Sequence, residues 1–203
     1  SLRRDTLAGS VSASGQIVGG LGGFNLTGVA EGLGIVAMGN RVQRAQVDYS
    51  WIGALTDSAQ IRLRANADTI VAAGFALDSV VVRGDYLAPG GTAQVAIFQN
   101  TDRDYTLNAR YAIRPEQREI TFDALRLRFD TTRWSAVAPG TIRWGQPGIE
   151  IDSLDLRSNT NGRVFADGLV PTDGVADLRL VVQNFQIGDL LGLVQSDLEA
   201  QGI

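Results

Sequence analysis

The feature that most constrains this chain is a strict alternation of apolar and polar residues, repeated along most of its length. Ala59, Ile61, Leu63, Ala65 and Ala67 alternate with Gln60, Arg62, Arg64, Asn66 and Asp68. Tyr105, Leu107, Ala109, Tyr111 and Ile113 alternate with Thr106, Asn108 and Arg110, and Ala45, Val47, Tyr49 and Trp51 with Arg44, Gln46 and Asp48. Ala93, Val95 and Ile97 form a shorter run, and Ala176, Leu178, Leu180 and Val182 close the series. Successive side chains of a strand point to opposite sides, so each run predicts a strand with one apolar and one wet face. Two runs change phase: Ile149 and Ile151 give way to Leu154 and Leu156, and Phe75 and Leu77 to Val80 and Val82. A one-residue slip turns every later side chain to the other face, so a bulge or tight bend is expected at each, the first near Asp152-Ser153.

Turn residues punctuate the runs at Pro89-Gly90-Gly91, Arg114-Pro115-Glu116, Pro139-Gly140, Pro147-Gly148 and Asn161-Gly162. The closer ones, about 8 to 14 residues apart, have the spacing of an all-β array. The Gly-rich stretch from Gly9 to Gly39 also reads as strands. Ile187, Leu190, Leu191 and Val194 fall on one helical face, which predicts a single short helix over about 188–194 and a new strand from about 197. The Leu190–Gly202 stretch echoes Leu7–Gly15, a hint of a repeat, and the alternation that begins at Leu198 stops at Ile203. These features read as one domain over 1–203, a piece of something longer.

Composition narrows the chemistry. The chain of 203 residues has no Cys, no His and no Lys; all 18 basic residues are Arg. It therefore lacks an imidazole base, a thiol nucleophile and a Schiff-base lysine. This favours a binding or scaffold role over an enzyme. The net charge of −4 argues against nucleic acid, which attracts basic surfaces. No uncharged apolar run is long enough for a membrane-spanning helix. Glu150, Asp152 and Asp155, and Asp102 with Asp104, are carboxylate clusters, but they read as the wet faces of strands rather than a glycosidase pair. Asp102, Asp104 and Asp167 offer oxygen ligands without a calcium-loop pattern. Gly19-Gly20-Leu21-Gly22-Gly23 has no helix after it, so it reads as a turn and not a phosphate loop. Arg62 with Arg64, and Arg126 with Arg128, read as a solvated sheet face, with anionic lipid as the functional alternative. The apolar stripes admit two readings: an ordinary closed sandwich core, or an open groove that holds a ligand.

The segment from Trp134 to Gly202 resembles the TamB branch of the AsmA-like family of bacterial envelope proteins. The likeness rests on Trp134, Pro139, Ile142 and Trp144, on Gly148-Ile149-Glu150-Ile151, and on Leu154-Asp155-Leu156-Arg157-Ser158. It continues through Gly162-Arg163-Val164, Gly168, Ala176-Asp177-Leu178-Arg179-Leu180, Phe185 and Asp189-Leu190-Leu191. Ala13-Ser14-Gly15-Gln16-Ile17-Val18-Gly19 is similar to the family's strand openings. The resemblance implies an all-β fold in which one curved sheet forms a U-shaped β-taco, with an open hydrophobic groove inside. It implies a periplasmic protein anchored in the inner membrane by other parts of its chain, which moves phospholipids toward the outer membrane. It also implies a role in outer-membrane biogenesis with an Omp85-type outer-membrane partner. No cofactor, metal or catalytic residue is called for.

On this reading the groove lining that contacts acyl chains is drawn from every run. It comprises Ile61, Leu63, Ala65, Val95, Ile97, Tyr105, Leu107, Ala109 and Tyr111, then Ile120, Phe122, Leu125, Leu127, Phe129 and Ile142. Ile149, Ile151, Leu154, Leu156, Val164, Leu178, Leu180 and Val182 complete it. Trp134 and Trp144 are expected to seal an end or rim. The competing reading is a structural or adhesive all-β envelope module with a closed sandwich core.

Overall fold

A computed structural model of the chain describes residues 7–72 and 74–185. The helix expected over about 188–194 and the strand from about 197 lie outside the described residues. The alternating runs form thirteen strands of one antiparallel sheet, and no helix occurs among the described residues. The strands are β1 (Ala8–Gly20), β2 (Gly23–Ala37), β3 (Asn40–Ala54), β4 (Gln60–Ala72), β5 (Phe75–Leu87), β6 (Gly90–Asn100) and β7 (Arg103–Ile113). They continue as β8 (Gln117–Phe129), β9 (Thr132–Ala136), β10 (Gly140–Gly145), β11 (Gly148–Ser158), β12 (Arg163–Pro171) and β13 (Asp177–Gln183). Each pairs with its sequence neighbour, except where β9 and β10 share one place between β8 and β11.

Pro139-Gly140 therefore does not reverse the chain. Strand β8 pairs with β9 beyond this point and with β10 before it, so β9 and β10 run on as one interrupted strand. Proline carries no N–H for a ladder, which makes it a natural place for such a break. The other four turn signals all lie at or beside hairpin connections. The two-residue link Met38-Gly39 was not marked by Pro, yet both residues have positive φ, at 51° and 80°. That is the backbone of the tight turns that suit the twist of a hairpin.

Both expected phase changes are present, and each belongs to a line that crosses several strands. In β2 to β5 the apolar row Ile35–Val42–Ile70–Leu77 stands three residues from the row Gly32–Ala45–Ala67–Val80. The register is the same on both sides of the gap, but Gly34, Gln43, Thr69 and Asp78 drop out of the pairing, with Gly34 and Thr69 at φ 61° and 51° absorbing the change. The second line crosses β8, the β9–β10 break and β11. Register shifts beside Asp123 in β8 and between Ile151 and Leu154 in β11, where Ser153 has φ 57°. Asp167 of β12 accepts the Ser153 backbone N–H at 3.1 Å. Bulges bend a strand and sharpen its twist, and this second line sets two of them across the sheet from each other.

Little of the molecule is enclosed. The buried apolar residues are Ala54, Ile70, Ala109, Phe129, Trp134 and Ala166, and among the described residues no large side chain is fully buried. Strands that are not hydrogen-bonded neighbours scarcely approach one another.

Candidate functional site

Register brings all of the expected lining residues onto one face. One row crosses twelve strands without a charge: Ile17, Leu26, Trp51, Ile61, Tyr86, Gly91, Tyr111, Ile120, Ile142, Ile151, Gly168 and Leu178. Beside it runs Leu63–Gly84–Ala93–Ala109–Phe122, and then Ala65–Val82–Val95–Leu107–Leu125. The next row is Ala67–Val80–Ile97–Tyr105–Leu127–Trp134. Beyond the second bulge line, Leu154–Ala166–Leu180 and Leu156–Val164–Val182 continue the face, and Ile149 lies opposite Trp144 and Val170. Phe129 follows two residues after Leu127, its ring 5.3 Å from that of Tyr105.

This face is apolar; most of it is half-buried, and parts of it are exposed. Leu63 is 38% exposed, Leu178 43% and Leu180 63%. In a closed sandwich such inward residues interdigitate with a facing sheet and are buried.

A notch of about 370 Å³ indents the face between Ile61, Leu63, Gly84, Tyr86, Tyr111 and Ile113. Gly84 lines it, and Gly91 stands in register between Tyr86 and Tyr111 beside it. A Cβ on Gly91 would collide with the Asp85 carbonyl oxygen, so the backbone itself demands glycine there. A Cβ on Gly84 would meet only the Thr92 carbonyl oxygen, at an ordinary 3.6 Å. Gly84 sits mid-strand with unbroken register on both sides. Glycine inside a strand otherwise marks a bulge, a bend or a close approach by another group. With no bulge there and only ordinary contact for a Cβ, Gly84 leaves space that a side chain could fill. The Tyr86 and Tyr111 rings lie nearly parallel beside it, 6.3 Å apart, and the Tyr111 hydroxyl donates to the Asp85 carbonyl oxygen at 2.9 Å. Burial, reinforced by Asp85 and then Tyr86, holds the Tyr111 phenol above its ordinary pKa, so it stays neutral.

Aromatic and polar groups close one margin of the face. Trp134 is 3% exposed, 5.3 Å from the Phe185 ring, and packs so tightly on the Asn161-Gly162 turn that a Cβ on Gly162 would strike the indole. The Tyr105 hydroxyl donates to Oε1 of the buried Gln99 at 2.8 Å. Trp144, in contrast, is 38% exposed.

The opposite face holds the charges. Register sets Arg64 opposite Asp48, Arg44 opposite Asp68 and Arg62 opposite Asp85. Arg128 binds Asp104, and Arg143 reaches Glu119 at 2.8 Å and Glu150 at 3.4 Å. Arg110 grips both oxygens of Asp123 at the bulge, and Arg163 both oxygens of Asp155. Hydrogen bonds from these arginines hold the Asp123 and Asp155 carboxyls below the usual range. Of the carboxylate clusters, Asp104, Glu150, Asp152 and Asp155 thus face arginines. No group of three potential metal ligands is present among the described residues.

Sequence reasoning named the stripes of β3 and β5 but left Leu26, Tyr49, Trp51, Val82 and Tyr86 out of the lining. Their alternation was a sufficient signal. Gly84 also had one, since it stands in phase between Val82 and Tyr86. Compared with family models, characterised proteins and solved structures, the chain matches none significantly.

Proposed function

We propose that this chain is a stretch of an open, U-shaped apolar trough that holds phospholipid acyl chains and lets them pass along it. The trough would belong to a TamB-like protein of the bacterial periplasm that carries lipid toward the outer membrane and supports outer-membrane biogenesis. The observation that carries the reading is the uncharged row across twelve strands, backed by parallel apolar rows and left half-exposed. At about 4.8 Å per strand, that row is about 50 Å long and runs across the strands. The aligned bulges supply the bend that turns a flat sheet into a trough. An acyl chain lying on it gains about 0.8 kcal/mol for each methylene taken out of water, with no need for a directional contact. A surface that binds by area alone lets a chain slide from row to row, because neighbouring positions are alike. That work needs neither nucleophile nor base. The outer face, where several arginines stand opposite carboxylates and Arg64 stands opposite Arg83, keeps the sheet in water.

A photo-crosslinking residue in place of Ile151, introduced in cells, tests the reading. The expected product is a lipid adduct, absent when the same residue replaces Arg62 on the outer face. Equal labelling at both positions, or none at either, refutes it. Small-angle scattering separates the trough from a closed envelope module, since a compact chain of this length has a radius of gyration near about 17 Å.

A further inference from the structure

We propose that a hollow on the wet face, between Arg83 and Arg126, is a docking site for an acidic, extended segment of a partner protein. The hollow faces away from the acyl rows, so it stands or falls apart from the trough reading. It has a volume of about 400 Å³, and no carboxylate lines it. Register builds it from two adjacent rows on β5 to β8, Arg83–Gln94–Asn108 and Ala96–Thr106–Arg126. Ala96 keeps the middle low between longer side chains.

The polar side chains of this hollow are unused. Among the described residues, Arg83, Gln94, Thr106, Asn108 and Arg126 make no side-chain hydrogen bond or ion pair. Charges nearby are engaged: Arg110 holds Asp123, Arg128 holds Asp104, and Asp85 accepts the Thr92 backbone N–H at 3.2 Å. Arg64 stands opposite Arg83, with Asp48 on its far side. Like charges set directly opposite each other are unfavourable, and an anion seated beside them would relieve the cost.

The distribution of charge selects the occupant. Positive charge lies at the two ends, and neutral amides lie between. Gln94 and Asn108 each donate and accept, which suits the N–H and C=O groups of a peptide backbone better than a bare oxyanion. Three strand spacings and one same-face step set the two arginine Cα atoms about 16 Å apart. Carboxylates four residues apart on an extended segment lie about 13 Å apart, and arginine side chains leaning inward cover the difference. Their planar forks grip a carboxylate with paired hydrogen bonds. Asp85 lies one same-face step from Arg83, and Asp104 one from Thr106. These would repel a continuous polyanion such as nucleic acid, whereas two placed carboxylates avoid them.

The probe is a fluorescein-labelled nonapeptide of serine and threonine with two glutamates four residues apart, followed by fluorescence anisotropy. Weak, saturable binding is expected, and it should fade as salt is raised to about 0.5 M. Exchange of both glutamates for glutamine should abolish it. Arg83→Gln and Arg126→Gln should each weaken it about threefold to fivefold, the range of an exposed ion pair. Ala96→Glu, which places a carboxylate of the chain's own in the hollow, should weaken it at least as much. Arg44→Gln, two strands from Arg83 and opposite Asp68, should leave it unchanged. Circular dichroism checks that each variant keeps its sheet. No binding, equal binding of the neutral peptide, or an equal loss in Arg44→Gln overturns the proposal. So does inorganic phosphate that binds tighter than the peptide in competition, which would make this a small-anion site. Capture by anionic vesicles or single-stranded DNA that depends on Arg83 and Arg126, without peptide binding, overturns it as well.

Discussion

Replacing Gly84 by Leu separates what the fold needs from what the proposed trough needs. Glycine in a strand costs about 0.5–1 kcal/mol relative to alanine, through the backbone freedom lost on folding. Gly84 returns nothing for this within the chain: its φ is not in the left-handed region, and an added Cβ meets only ordinary contact. A leucine there lies between Leu63 and Ala93 in register and fills part of the 370 Å³ notch. The variant should therefore be more stable to urea by about 0.5–1 kcal/mol or more. Acyl binding should move the other way. The four carbons of the new side chain displace about four methylenes of a bound tail, a loss of about 3 kcal/mol at that seat. This corresponds to about 200-fold in dissociation constant if the tail stays put. Gly84→Ala removes room for about one methylene and should cost about fourfold. Titration with a fluorescent long-chain fatty acid measures affinity, and urea unfolding followed by tryptophan emission measures stability. An affinity within twofold of wild type in a stabilised Gly84→Leu protein would refute the account of the notch. A loss of stability would refute the claim that the fold does not require this glycine.

Three further outcomes follow from the two faces. Leu107→Asp or Val95→Arg places a charge in the middle of the apolar rows and should abolish fatty-acid binding while Arg62→Gln leaves it within twofold, both read by the same titration. Trp134→Ala empties a buried site and should lower stability by about 3–5 kcal/mol in urea, with little effect on a tail seated at Gly84. Asp155 has its folded pKa lowered, first by the Arg163 hydrogen bond, so its contribution is present above the unfolded carboxylate value and lost as pH falls through the folded one. Asp155→Asn should therefore flatten the acid side of the stability–pH curve below about pH 4 and leave its slope near neutrality unchanged.

Much of this was legible from alternation alone. Period two fixes which side chains share a strand face, and the phase change from Ile151 to Leu154 marks the bulge at Ser153 before any coordinates are seen. What alternation does not encode is register between strands. The pairing of Arg143 with both Glu119 and Glu150 depends on where β10 sits between β8 and β11. Nothing local to Arg143 states this. Pro139-Gly140 reads like the four true turn signals because a break in a strand and a reversal of the chain use the same residues. Gly84 shows the same limit. Its phase was visible, but the reasons to exclude a bulge or a backbone collision came only from its neighbours in β4 and β6.

The way the sheet is held together bears on why its apolar face can stay open. An ordinary domain hides its apolar rows because that burial is its chief source of stability. Here each strand is bound to its flanking strands by ladders of up to about a dozen residues, by cross-strand apolar pairs and by arginine–carboxylate contacts on the wet face. Stability is then a sum over neighbouring strands, as in repeat proteins, and does not depend on sealing the apolar face against a second layer. The first line of phase change fits the same logic. A bulge in a single strand shifts register against its neighbour, whereas the change of phase at Gly34, Thr69 and their neighbours on β3 and β5 omits one pair from each ladder and keeps the register on both sides. On the proposed reading, such bends let the apolar rows curve around a guest while the strands on either side keep their register.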